Sequence, residues 1–172
     1  MPSFIRLRMA LELENFTHKA PVPPRYEIAS LTEEDIERLV RLELVGYRGA
    51  EDSALRPELG SLEACRGFFF RMFSGGMGPF RPDLSFKLLR GLTLCGAIYT
   101  FTEGDLAYIA DFVIAPSFRG RGLGEILLTY ALHRYRNAGY HRAALAVTAT
   151  NKAAVRLYKK LGFRVEKSFS AG

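Results

Sequence analysis

The sequence predicts an α/β (α+β) domain in which helices pack against one mixed sheet. Three observations predict it: a strictly alternating apolar segment near the start, three successive strand-like segments joined by tight turns, and a closing order of helix, strand, helix, strand. At 172 residues the chain is long enough to bury one core without metals or disulfides.

From Phe4 to Leu13 the residues Ile5, Leu7, Met9, Leu11 and Leu13 share one face of a strand, with Arg6, Arg8, Ala10 and Glu12 on the other. A helix would scatter those apolar residues around its circumference. Pro21, Pro23 and Pro24 mark a linker, which divides the chain into an N-terminal strand with its linker (1–24) and a main domain (25–172). A short strand spans Arg25 to Ser30. Thr32 then opens a helix, with Asp35 placed for a capping box and Ile36, Leu39, Val40 and Leu44 forming its apolar face as far as Gly46. A second helix runs from Ser61 through Phe68, Phe69, Met72 and Phe73 to Gly75 and Gly76, and the Gly75 to Pro82 loop reads as a connector.

Strands follow over Ser85 to Arg90, Thr93 to Phe101 and Leu106 to Ala115; turns at Arg90-Gly91 and Glu103-Gly104-Asp105 make them an antiparallel meander. A helix over Gly122 to Asn137, a strand over Ala143 to Thr148, a helix over Asn151 to Leu161 and a strand over Phe163 to Phe169 complete the chain.

Cys65 and Cys95 match neither a zinc site nor a disulfide framework, which suits reduced thiols in a cytoplasmic protein. No segment approaches the ~18 consecutive apolar residues of a membrane span, and Arg6, Arg8, Glu12 and Glu14 interrupt any signal-peptide core. The expectation is a soluble protein with no membrane partner. A net charge of +6 suits an anionic ligand, and because the basic residues are dispersed, a confined anion site fits better than a polybasic tail.

The stretch Ser117 to Leu128, SFRGRGLGEILL, is the candidate for that site. It lies between a strand and a long amphipathic helix, where first-turn amides lack intrahelical partners and the dipole favours an anion. Gly120, Gly122 and Gly124 let the backbone approach phosphate oxygens, with Arg119 and Arg121 adding charge at the rim. A dinucleotide fingerprint would need glycine where Glu125 stands, and a P-loop would need Gly-Lys-Ser/Thr, so neither spacing fits. In the second motif, Asn151 to Phe163, Asn151 suits a helix cap and Gly162 a helix stop. Tyr158 lies two turns, about 10 Å, along the same helix face as Asn151.

Taken together, Arg119-x-x-Gly122-x-Gly124, the preceding ADFVIAP, and Asn151 with Tyr158 resemble the GNAT superfamily of acyl-CoA-dependent N-acyltransferases, over about residues 25 to 169. The resemblance implies a mixed, mostly antiparallel sheet whose central strands splay apart to admit acetyl-CoA, with no metal. It implies that the backbone of Phe112, Val113 and Ile114 pairs with the pantetheine arm, an amide near Ile114 polarises the thioester, and Arg119, Gly120, Arg121, Gly122, Leu123, Gly124 and Glu125 wrap the pyrophosphate. Asn151 contacts the arm from the other side, and Tyr158 protonates or hydrogen-bonds the leaving thiolate. The partner is an amine acceptor, whose site the helices Thr32 to Gly46 and Ser61 to Ser74 would line.

The general base is the open point. Tyr108 and Ala146 occupy positions where subgroups of the family carry a glutamate, which leaves Asp111, Glu103 or a water chain, with Asp111 preferred. His18, His133 and His141 are scattered and read as solvated surface. Many family members add a strand beyond the segment matching Phe163 to Phe169, so the N-terminal strand is expected to cover that edge, within the subunit or across a homodimer. Two alternatives to the enzyme are a CoA-binding regulatory domain without turnover and a basic nucleic-acid-binding module using Arg119, Arg121, Lys159 and Lys160. The dispersed charge disfavours the nucleic-acid partner.

Overall fold

A computed structural model describes residues 3–172. Seven strands form a single sheet: β1 Phe4–Glu12, β2 Tyr26–Ser30, β3 Phe86–Arg90, β4 Thr93–Glu103, β5 Leu106–Ile114, β6 Arg142–Thr148 and β7 Arg164–Ala171. The helices are α1 Ile36–Gly46, α2 Leu62–Phe73, α3 Leu123–Asn137 and α4 Lys152–Lys160. The spatial order is β2-β3-β4-β5-β6-β1-β7, and every neighbouring pair is antiparallel except the parallel β5 and β6.

The predicted elements are all present, with shifted ends. A 3-10 turn, Glu33–Asp35, precedes α1, where the Thr32 N–H donates to Asp35 Oδ2 at 2.9 Å. Ser61 Oγ caps α2 by accepting from the Ala64 N–H at 3.0 Å. Residues between α1 and α2, which the sequence left without an assignment, form two further 3-10 turns, Glu51–Leu55 and Pro57–Gly60.

Two apolar layers sandwich the sheet. α3 covers one face through Leu127, Leu132 and Tyr135 and α4 through Val155 and Tyr158, packed in one core with Met9, Leu13 and Phe86. α1 and α2 cover part of the other through Leu39, Val40, Phe69 and Met72, packed with Tyr99 and Val113. The Phe-rich second helix is thus core on its Phe69 side, while Phe70 is exposed. Phe80 bridges Phe101 of β4, which ties the Gly75 to Pro82 connector to the sheet.

The N-terminal strand does not cover the sheet edge as expected. β1 is inserted between β6 and β7, pairing with both, and β7 is the edge, exposed on both faces. Its alternating residues explain the position: Met9, Leu11 and Leu13 are buried against the α3 and α4 side, a demand that an interior strand meets better than an edge. β1 is therefore integral to the same sheet as the strands after residue 24, and the boundary at 24/25 is no structural division.

Candidate functional site

The parallel ladder between β5 and β6 covers only Leu106 to Ile109 against Arg142 to Leu145. On its other side β5 pairs with β4, Tyr99 opposite Asp111 and Thr100 opposite Ile109, so Ala110 is the extra residue of a bulge. A bulge bends and twists its strand. This one falls where β5 parts from β6, and a cleft opens beyond it.

Main-chain groups alternate sides along a strand. The Ala115 N–H bonds to Cys95 O on the β4 side, so Val113 also turns its main chain toward β4, where it pairs with Ala97. Phe112 and Ile114 turn theirs into the cleft. The Phe112 N–H is held by Asp111 Oδ1 at 2.8 Å, and Ile114 O accepts from Arg119 Nε at 2.9 Å. Of the segment Phe112 to Ile114, the cleft thus receives the Phe112 carbonyl and the Ile114 N–H.

The glycine turn leads into α3. Gly120 and Gly122 have φ of 73° and 74°, backbone that side chains with a Cβ adopt at a cost of roughly 1 to 2 kcal/mol. Gly124 has a different reason: a Cβ there would meet Phe112 Cζ at 3.3 Å, so the glycine lets α3 press against β5. Among the described residues, no N–H from Gly120 to Glu125 donates to a protein carbonyl or side chain. The result is a row of unpaired donors at the positive end of a fifteen-residue helix.

The side chains here depart from expectation. Arg119 is not a free rim charge; its guanidinium donates to Ile114 O and, at 2.8 Å, to Gly46 O at the carbonyl end of α1. Glu125 binds Lys160 and His18, each at 2.8 Å, which draws its carboxylate away from the turn. Arg121 is exposed and lies over Phe118, 5.3 Å from the ring centre. His18 and His133 are not simple solvated surface: the His133 ring meets His18 O at 2.6 Å, and together they dock the N-terminal linker on α3.

Across the cleft, Asn151 Oδ1 caps α4 by accepting from the Ala154 N–H at 3.2 Å. Tyr158 is 7% exposed and lines both openings of the cleft, with its ring 5.8 Å from that of Phe163. Burial, and secondarily the charge of Asp111, hold this phenol well above its ordinary pKa, so it stays a proton donor.

Two cavities meet at Tyr47, Asp52, Phe112, Asn151 and Tyr158. One, of about 640 Å³, follows Ile114 and the glycine turn. The other, of about 400 Å³, continues past Asp111 to Arg6 and Ala146. Its outer wall comes from the 3-10 segment through Asp52, Leu55, Arg56 and Glu58 rather than from the helices expected to line it. Arg6 reaches in from β1, donating to Thr148 Oγ1 at 2.9 Å and to Ala146 O at 3.2 Å. Asp52 accepts from Thr148 Oγ1, and Glu51 from Thr150 Oγ1, so the 3-10 segment spans the cleft from α1 to β6.

Asp111 faces the second cavity, with its oxygens on Arg56 Nη1 at 2.6 Å and on the Tyr47 hydroxyl. Glu103, the other candidate base, is exposed at the β4–β5 turn opposite Leu106, the far end of the strand from the cleft. This corrects its candidacy. Among the described residues no group of three or more His, Cys, Asp or Glu is placed to hold a metal ion.

This site defines a class, an α/β protein with a phosphate-ready helix start opening onto a strand splay. The family model of the acetyltransferase (GNAT) family matches residues 84–163. A thialysine N-epsilon-acetyltransferase of Sus scrofa is 31% identical over 136 residues, 76% of this chain and 77% of its own. The chain belongs to the GNAT acetyltransferase family. An uncharacterized N-acetyltransferase of Methanocaldococcus jannaschii is 27% identical over 140 residues, 80% of this chain, and this chain covers 60% of that protein's length. The PaiA N-acetyltransferase of Thermoplasma acidophilum, crystallised in complex with coenzyme A, shares the fold with a TM-score of 0.64 at 24% identity, over 82% of this chain and 91% of its own.

Proposed function

We propose that this chain is an acetyl-CoA-dependent N-acetyltransferase that delivers the acetyl group directly to a primary amine, on a small molecule, a lysine or a protein N-terminus. The observation that carries the reading is the row of unpaired N–H donors from Gly120 to Glu125 at the mouth of a cleft that runs to Tyr158 and Asp111. The residues fit a CoA: the amides of Gly120, Arg121, Gly122, Leu123, Gly124 and Glu125 suit its pyrophosphate, and the cavity between Ile114 and Asn151 suits its extended arm.

Bound acetyl-CoA supplies an activated acetyl thioester. The Ile114 N–H faces the cleft as a fixed donor for negative charge developing on a carbonyl oxygen. Tyr158 donates a hydrogen bond toward sulfur; a free thiol at ~8.5 is already more acidic than a phenol at ~10, and burial widens that gap. Tyr158 therefore stabilises the departing sulfur by hydrogen bonding. An aliphatic amine near ~10.4 arrives protonated at neutral pH. Asp111, whose carboxylate faces the second cavity, accepts that proton. The acceptor enters a cavity where the carboxylates of Asp52, Glu58 and Asp111 outnumber the guanidiniums of Arg6 and Arg56, which suits an ammonium group. The thialysine-acetylating relative supports an aliphatic amine as acceptor.

A cytoplasmic location is supported by Cys65 and Cys95, both buried and unbridged, and no helix among the described residues is long and apolar enough to cross a membrane. A homodimer is supported by the β7 edge, which among the described residues has no strand partner on its outer side.

Thermal unfolding with acetyl-CoA, followed by thiol release across an amine panel, tests the reading. A ligand at a hundred times its dissociation constant adds about 2.7 kcal/mol. A rise in Tm with amine-dependent thiol release is expected. A rise without release would leave a CoA-binding domain, and oligonucleotide binding with steep salt dependence and no response to acetyl-CoA would favour a nucleic-acid module.

A further inference from the structure

Glu43 lies on α1 with its side chain wholly buried, at 0% exposure, directly behind the second cavity. Its Oε1 accepts from the Tyr99 hydroxyl of β4 at 2.9 Å, and its Oε2 lies 3.3 Å from Arg56 Nη1. That same Nη1 donates to Asp111 Oδ2 at 2.6 Å, while Arg56 Nε binds Glu58 at 2.7 Å. One guanidinium thus stands among Glu43, Glu58 and Asp111. Tyr47, at the end of α1, donates to Asp111, and Cys65 of α2 is the remaining titratable neighbour. The Glu43 and Asp111 carboxyls are therefore close neighbours, held at 3.3 and 2.6 Å on the same nitrogen, Arg56 Nη1.

Asp111 does not stand alone in the cavity: it accepts from Arg56, Tyr47 and the Phe112 N–H. We propose that Glu43 is a positioning residue: the two carboxyls held on Arg56 share one proton, and Glu43 thereby makes Asp111 able to take the proton of the acceptor amine. This rests on the acetyltransferase reading. Two carboxyls sharing a site lose their protons in separated steps, so the doubly ionised pair is a stronger base than either alone. Burial and the neighbouring Asp111 hold Glu43 well above the usual carboxylate range, consistent with the upper step.

The test compares wild type with Glu43→Gln and Tyr99→Phe, using acetyl-CoA and the best amine of a panel. Glutamine keeps the shape but has no proton to lose. Its acid limb of kcat/KM against pH should move down by at least about one unit and its plateau kcat fall about tenfold, with the KM for acetyl-CoA unchanged. Tyr99→Phe removes a donor that favours ionised Glu43, so its limb should move up. A wild-type limb in Glu43→Gln, or shifts of the same sign in both variants, would overturn the proposal.

A second readout needs no turnover. The infrared spectrum of substrate-free wild type at pH 6 should contain a protonated-carboxyl band that Glu43→Gln lacks, and its absence from wild type overturns the shared proton. A wild type that shows the band yet releases no thiol with any amine refutes the acetyltransferase reading, and the role of Glu43 falls with it.

Discussion

Ile109 faces Leu145 at the last rung of the parallel ladder between β5 and β6, and the bulged Ala110 follows immediately. This one relationship creates the site. Because the bulge absorbs a residue, Asp111 projects into the second cavity, Phe112 and Ile114 turn their main chain to the first, and Tyr158 reaches the junction of both.

Phenylalanine at position 158 would keep the ring that packs beside Phe163, 5.8 Å between centroids, and remove only the hydroxyl. Tyr158→Phe should therefore leave the unfolding free energy within about 0.5 kcal/mol of wild type and retain acetyl-CoA binding. Its kcat should fall by about 10²-fold, the range for one lost donor or acid. Thermal shift and thiol release measured on the same sample check both halves.

Gly122 sets the first turn of α3 at φ 74°, whereas Gly124 touches Phe112. Gly122→Ala should cost about 1 to 2 kcal/mol from backbone strain. Any adjustment of the turn re-aims its N–H groups, so the acetyl-CoA-induced rise in Tm should shrink as well. Denaturant titrations with and without acetyl-CoA separate the two effects.

Met9 is fully buried on an interior strand. Met9→Ala should cost about 2 to 5 kcal/mol, the range for truncating a large core side chain. Removing residues 1–20 would leave β7 without its β1 partner and bare an edge of β6, so that protein should aggregate or unfold. Chemical denaturation of Met9→Ala and light scattering of the truncated chain are the measurements.

Glu43 is held protonated in the folded state beyond the pH at which it ionises in the unfolded chain, where its value is 4.5. The folded protein then binds more protons than the unfolded one, and stability falls with rising pH. The contribution is complete below 4.5 and is lost as pH rises through the elevated folded value. Glu43→Gln has no such proton, so its stability relative to wild type should improve with pH across that window, by at most about 1.4 kcal/mol per unit. Unfolding free energies of both proteins from pH 5 to 9 decide it.

Cys65 is 1% exposed, and burial pushes its thiol up to about 11. Its reaction with a disulfide reagent at pH 8 should be slow in the native protein and fast in denaturant. Fast labelling of native protein would contradict the packing of α2 against α1.

The two motifs were legible because their signals are local. Positive φ at Gly120 and Gly122 needs glycine wherever the turn sits in the fold, and the Asn151 cap acts within its own helix. The alternation of Met9, Leu11 and Leu13 likewise dictates a strand, but it is equally compatible with an edge or an interior slot. The 3-10 segment from Glu51 to Gly60 has no apolar period, so its role as a cavity wall left no trace in the sequence. Arg119 reads as a free rim charge until the carbonyls of Ile114 and Gly46 are seen to converge on it.

By itself the sequence determined the helices, the strands, the glycine turn and the family resemblance, since periodicity, capping and backbone conformation depend on neighbours a few residues apart. The tertiary structure alone decided that β1 enters between β6 and β7, that Arg6 and Arg56 border one cavity, and that Glu43 and Asp111 converge on Arg56. Those juxtapositions join residues far apart along the chain, and they arise from burying two apolar layers on one sheet. A sequence states which side chains are available to such a site, and the packing of the core selects which of them meet.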